Sequence, residues 1–185
     1  MNPALLVVDI QNDYFPGGKM ELSEMKSVAG NAKSLISFFR KNNRKVVFIQ
    51  HLAVKPTAGF FIEGTFGAEI HESIRPVEDE TVIIKNYPNS FRNTNLHQYL
   101  QMFQVSDLVI CGAMTHMCID TTTRAAADLG YSCTLIFDAC ATRDLVFNDQ
   151  KVMAADVQLA YMAALNGTFA TILSTKQFLS LNIKE

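Results

Sequence analysis

The chain has 185 residues and a net charge of −2, with 49% hydrophobic residues. That charge gives no electrostatic case for nucleic acid or an anionic membrane, and no apolar run reaches the length of a membrane-spanning helix. The apolar content is enough to build the core of one domain, taken as residues 1–185. The opening residues lack a basic stretch followed by a cleavable apolar segment, so no export signal is expected and a cytoplasmic location is. Cys111, Cys118, Cys133 and Cys140 match no zinc spacing and read as reduced thiols.

Ala4 to Asp9 reads as a buried strand ending in a carboxylate. Pro16-Gly17-Gly18 marks a turn. Ser23 is placed to cap a helix running to about Lys41, with Val28, Ala32, Leu35, Ile36 and Phe39 on one face. Lys45 to Gln50 is a second strand, followed by a long loop from His51 to Thr65. Thr81 to Lys85 is a third strand, ending in a charge. Thr94 to Phe103 reads as helix. Leu108 to Cys111 is a fourth strand, broken by Gly112, and a helix covers Met117 to Leu129. Ser132 to Phe137 is a fifth strand, ending at Asp138, and Ala139 to Asn148 reads as loop. Lys151 to Asn166 is predicted as a strongly amphipathic helix closed by Gly167. Phe169 to Leu173 is a sixth strand, and a short helix follows from Thr175.

The strands are continuous apolar runs, so helices should cover both sheet faces. The pattern predicts a three-layer α/β/α domain with a six-stranded parallel sheet and right-handed crossovers.

Strands of a parallel sheet end at one edge, and ligands bind beyond those ends. Asp9 ends the first strand and Lys85 the third, while Cys118 lies just past the fourth at a helix start. All three should share one rim. Unpaired amides and the helix dipole there favour a thiolate. Asp9 is placed to take the thiol proton, and Lys85 to tune both groups. Each residue also has a plain structural reading: a buried cysteine, a turn-forming aspartate, a solvated lysine. Position alone leaves the two readings open.

Val8-Asp9-Ile10-Gln11-Asn12-Asp13-Tyr14-Phe15, Ile84-Lys85-Asn86-Tyr87-Pro88-Asn89-Ser90-Phe91 and Gly112-Ala113-Met114-Thr115-His116-Met117-Cys118 resemble the three blocks of the isochorismatase-like cysteine hydrolases, in order and approximate spacing. Asp138-Ala139-Cys140-Ala141-Thr142 resembles a further block. The resemblance implies the strand order 3-2-1-4-5-6 and a catalytic triad of Asp9, Lys85 and Cys118. It also implies a cis peptide at Ala113-Met114, with the Met114 and Cys118 N–H groups as the oxyanion hole. In that order the third strand lies about 10 Å from the first, at about 4.8 Å per step. Lys85 must therefore lean inward.

The nucleophile favours hydrolysis of a C–N bond, in an amide, ureido compound or lactam, through a thioester on Cys118. Nicotinamidases of this family carry an Asp-x-His metal site after strand two. Here Ile49 stands two before His51, and His71 is the other nearby histidine, so neither a metal nor a cofactor is expected. Gln11, Phe15, Phe60, Phe61, Tyr87, Phe91 and His116 are candidate pocket residues. Their aromatic character suits a small neutral or cationic substrate. The alternatives are isochorismatase-type hydrolysis of another small molecule, a binding or assembly module with the same fold, and a redox-sensing thiol protein. The expected partners are a small-molecule substrate and further copies of the chain, with no nucleic acid and no membrane.

Overall fold

In the computed structural model, residues 2–55 and 57–182 are described. The strands are β1 (Pro3–Val8), β2 (Lys45–His51), β3 (Thr81–Lys85), β4 (Asp107–Ala113), β5 (Ser132–Ala141), β6 (Leu145–Phe147), β7 (Gln150–Val152) and β8 (Thr171–Leu173). The α-helices are α1 (Met25–Lys41), α2 (Leu96–Met102), α3 (Asp120–Asp128), α4 (Ala154–Leu165) and α5 (Thr175–Asn182). Six strands form a sheet in the order β3-β2-β1-β4-β5-β8, every neighbouring pair parallel. This is the predicted order; the sixth sheet strand is β8 because the antiparallel β6–β7 hairpin intervenes.

The apolar runs explain the layers. Along β1, Leu5 and Val7 face a core shared with α1 and Phe178 of α5, whereas Ala4, Leu6 and Val8 face a core shared with α2, α3 and α4. The faces swap parity on β2: Val46 and Phe48 join the first core, Val47 and Ile49 the second. Side chains alternate with a period of two along a strand. His51 and Lys85, in register at the ends of β2 and β3, therefore point to the second face. Among the described residues, no helix is long and apolar enough to cross a membrane.

Four local expectations are corrected. Ser23 does not cap α1. Glu24, in the left-handed region at φ 61°, occupies the cap position without a side-chain bond, while the Ser23 N–H donates to Thr142 O. Gly112 does not end the fourth strand but lies within β4, next to a bulge. It has φ +127°, and a Cβ there would lie 1.9 Å from Val8 O, so β1 passes too closely for any side chain. The fifth strand runs on to Ala141, three residues past Asp138, because Cys140 and Ala141 resume pairing with Gly112 and Ala113 beyond the bulge. Finally, α4 begins at Ala154, since Lys151 and Val152 belong to the hairpin. It is not strongly amphipathic, for apolar side chains cover its outer side too, and Leu159 is 70% exposed. The expected loop from His51 to Thr65 contains Pro56, which lies outside the described residues. It continues into 3-10 turns at Phe66–Ala68 and Glu72–Ile74.

Candidate active site

Asp9 directly follows β1. Continued alternation would turn its side chain toward the first core, on the α1 side. Instead its backbone takes φ +52°, and the carboxylate meets the groups of the second face. Lys85 Nζ lies 2.8 Å from Asp9 Oδ2, and both side chains are fully buried. The two side chains together bridge the width of β2, which is how a residue two strands away reaches the rim. Lys85 Nζ also donates to Pro88 O at 3.0 Å.

Cys118 sits in a wide turn, Thr115–Ile119, between β4 and α3, where the Ile119 N–H bonds Met114 O five residues back. The Ala113–Met114 peptide preceding it is cis. The turn is held from outside. The Thr115 hydroxyl lies 2.5 Å from Gln158 Oε1 on α4 and 3.1 Å from Ala141 O. His116 Nδ1 lies 2.6 Å from the Thr142 hydroxyl. His116 thus braces the turn against the end of β5, and burial, with Arg143 nearby, holds its imidazole below the usual value.

The electrostatics divide the roles. Burial works against the Asp9 charge, but the Lys85 ammonium and His51 outweigh it and hold the carboxyl below 3.8. Burial likewise opposes the Lys85 charge, and Asp9 with Cys118 overcomes it, raising Lys85 above 10.5. Cys118 is only 3% exposed. Burial first, then the Asp9 charge, push its thiol up to about 12, against the opposing pull of Lys85. The resting cysteine is therefore a thiol, not the thiolate that its place near a helix start suggested. Desolvation and a neighbouring carboxylate outweigh the dipole.

His51 belongs to this cluster, although sequence reading treats it as a loop histidine. Its Nδ1 lies 3.9 Å from Cys118 Sγ and 3.8 Å from Asp9 Oδ2. With a side chain 17% exposed, it is more accessible than Asp9, Lys85 or Cys118. The missed signal was register: His51 pairs with Lys85, so the two share a face. Tyr14 was also missed as a site candidate. It is buried near Cys118 and Asp9, and burial chiefly raises its hydroxyl well above 10.

The expected pocket residues divide. Phe61 packs 5.8 Å from the His51 ring and 4.6 Å from Tyr14, with Phe60 beside both aromatic rings of that pair. Phe61 is itself buried, fixed by its N–H donating to Asp13 Oδ2 at 2.7 Å, so it backs His51. Gln11, expected at the pocket wall, is wholly buried. Its amide donates to His51 O and Ala68 O and accepts from the His51 N–H, clamping the end of β2. The rings of Phe15, Tyr87 and Phe91 are engaged by His71, Arg92 and Tyr131. Two hollows of about 500 and 520 Å³ lie off the nucleophile, one between α1, β5 and α4, the other beside the Pro16-Gly17-Gly18 turn. The chemistry is better located by the buried charges than by these hollows.

A nicotinamidase-type metal site does not fit this chain. Ile49 fills the carboxylate position and is 1% exposed in the core. His71 stacks on Phe15 at 3.6 Å, and its Nδ1 accepts from the Ser73 N–H.

The Isochorismatase domain family model matches residues 3–177, and the chain belongs to the isochorismatase family of hydrolases. The isochorismatase family protein YddQ of Bacillus subtilis (strain 168) is 52% identical over 179 residues, covering 97% of this chain and 99% of that protein. The crystal structure of an isochorismatase from Pseudomonas putida KT2440 superposes with a TM-score of 0.89 at 36% identity, over 95% of this chain and 89% of that one. The streptothricin hydrolase of Streptomyces noursei is 31% identical over 142 residues, 77% of this chain and 50% of that enzyme.

Proposed function

We propose that the protein is a cysteine hydrolase that cleaves a C–N bond of a small amide, ureido compound or lactam. The observation that carries this reading is the buried Asp9–Lys85 ion pair at 2.8 Å, set against the Cys118 thiol. Burying an ion pair is costly, and its stabilising value over apolar packing is small. Its place beside a reactive thiol gives it a chemical use.

Asp9 takes the thiol proton as sulfur attacks the carbonyl carbon. The transfer converts carboxylate plus thiol into carboxylic acid plus thiolate. Net charge and the Lys85 partner are unchanged, so burial, which penalises net charge, opposes the step little. Protonating Asp9 also removes one of the causes that raise the thiol. The Met114 and Cys118 N–H groups receive the tetrahedral oxyanion. As the C–N bond breaks, Asp9 returns the proton to the departing nitrogen, and a thioester remains on Cys118. Water then attacks the thioester carbonyl, giving a proton to Asp9; the C–S bond breaks, the thiol is re-formed and the acid leaves. The likeness to streptothricin hydrolase supports a hydrolytic role.

A panel of small amides, ureas and lactams tests this by ammonia or amine release. Wild type should hydrolyse at least one, and Cys118→Ala should lose at least a thousandfold in rate while melting as a folded protein. Equal rates in the two would refute the nucleophile.

We also propose that the chain acts as a homo-oligomer in the cytoplasm. Phe147 on the β6–β7 hairpin is 76% exposed and Leu159 on α4 is 70% exposed, with Val146 and Met153 also exposed. Light scattering should give a multiple of 20.6 kDa, and Phe147→Asp with Leu159→Lys should reduce it. A wild-type mass of one chain would overturn this.

A further inference from the structure

Asp9, His51 and Cys118 bring one oxygen, one nitrogen and one sulfur ligand within 4.8 Å of one another. None of the three was placed there by a zinc-like sequence spacing, and the set differs from the site after strand two described above. A tetrahedral zinc with bonds of about 2.0–2.3 Å holds its nitrogen, oxygen and sulfur ligands roughly 3.4–3.6 Å apart. The observed separations, 3.9 Å from Cys118 Sγ to His51 Nδ1 and 3.8 Å from that nitrogen to Asp9 Oδ2, exceed this by a few tenths of an ångström. A small inward movement of the partly exposed His51 ring would close the difference.

A second observation points the same way. Asp9 is fully buried, and beyond the Lys85 ion pair on Oδ2 neither of its oxygens has a hydrogen-bond partner among the described residues. Buried carboxylate oxygens are ordinarily satisfied. Lys85 approaches Oδ2 alone, so the carboxylate keeps lone pairs that can accept a cation without breaking the ion pair. The Lys85 ammonium opposes a second cation, but the balance still favours one. With the cysteine ionised, the site carries the charges of Asp9 (−1), Cys118 (−1) and Lys85 (+1), a net of −1.

We infer that this cluster is an inhibitory site for a thiophilic divalent cation of the zinc class. The cation forms a bond to Cys118 Sγ as the S–H bond breaks, and the proton leaves to solvent. Asp9 supplies an oxygen, His51 its Nδ1, and water the fourth position. With its sulfur capped by metal, the nucleophile cannot attack a carbonyl. Metal binding stands on the geometry alone; the inhibition rests on the hydrolase reading.

Cobalt(II) is the probe, because thiolate ligation gives a sulfur-to-metal charge-transfer band in the near ultraviolet and tetrahedral geometry gives intense visible bands. Titration of the reduced protein should saturate at one cobalt per chain. The bands should vanish in Cys118→Ser, weaken at least tenfold in apparent affinity in His51→Gln, and persist in Cys133→Ser. Zinc should displace the cobalt, and a chelator should restore the free thiol. Should Cys118→Ser fail to fold, Cys118→Ala gives the same loss. No thiolate band in folded wild type, or a band surviving the loss of Cys118, overturns the site. A band without any hydrolase activity on the panel keeps the metal site and removes the inhibition. Hydrolysis without a band keeps the hydrolase reading and overturns both the metal site and the inhibition.

Discussion

At the residue scale, the site consists of groups whose protonation is set by burial as much as by their partners. Cys118 is one of four buried free cysteines. Burial pushes Cys111 and Cys118 up to about 12 and Cys133 to about 11, and raises Cys140 well above 9.0. The unfolded chain gives up these protons near 9.0, while the folded chain keeps them. Their stabilisation is therefore complete below that pH and is lost as pH rises toward the folded values. Each deeply buried thiol should cost about 1.4 kcal/mol per pH unit in that window. Thermal melts from neutral to alkaline pH should show the midpoint falling steeply above pH 9, and Cys111→Ala should flatten the slope. A midpoint constant through that range would contradict the burial account. The Asp9–Lys85 pair gives a second prediction. Lys85→Met leaves a fully buried carboxylate with no cation, which should cost about 3–5 kcal/mol in urea unfolding. A loss below 1 kcal/mol would mean that solvent reaches Asp9.

At the scale of elements, apolar runs and helical periodicity located the sheet strands and most helices, since both follow from which faces must be buried. The Thr81–Lys85 strand was placed to the residue. The departures come from tertiary contacts that a local pattern does not carry. Gly112 looks like a strand breaker but permits β4 to run beside Val8. Asp138 looks like a strand end, yet its carboxylate binds the Thr175 N–H and hydroxyl while the strand continues. The hairpin of β6 and β7 stayed hidden because Leu145-Val146-Phe147 and Gln150-Lys151-Val152 are short and largely exposed. Gly112→Ala tests the close approach directly. With φ at +127° and a carbonyl 1.9 Å from the new carbon, it should cost about 3 kcal/mol or more. A substitution that leaves urea unfolding unchanged would show that β1 and β4 can separate freely.

At the scale of the whole molecule, parallel strands deliver chemistry from distant parts of the chain to one rim. Asp9, His51, Lys85 and Cys118 come from four separate segments yet meet within a few ångströms. The grouping of Asp9, Lys85 and Cys118 was legible, because strand ends and a family resemblance both marked it. His51 was not, because its side-chain direction depends on the register of β2 against β3. The state of the thiol was not legible either, since burial is a property of the assembled fold. The central claim is that Cys118 is the acylated nucleophile, and intact mass measurement of protein mixed with a turned-over panel substrate tests it most directly. The account predicts a transient mass increase equal to the acyl group, localised to Cys118 by peptide mapping and absent in Cys118→Ser. Turnover with no adduct in wild type under rapid quench, and with full activity kept in Cys118→Ser, would contradict it.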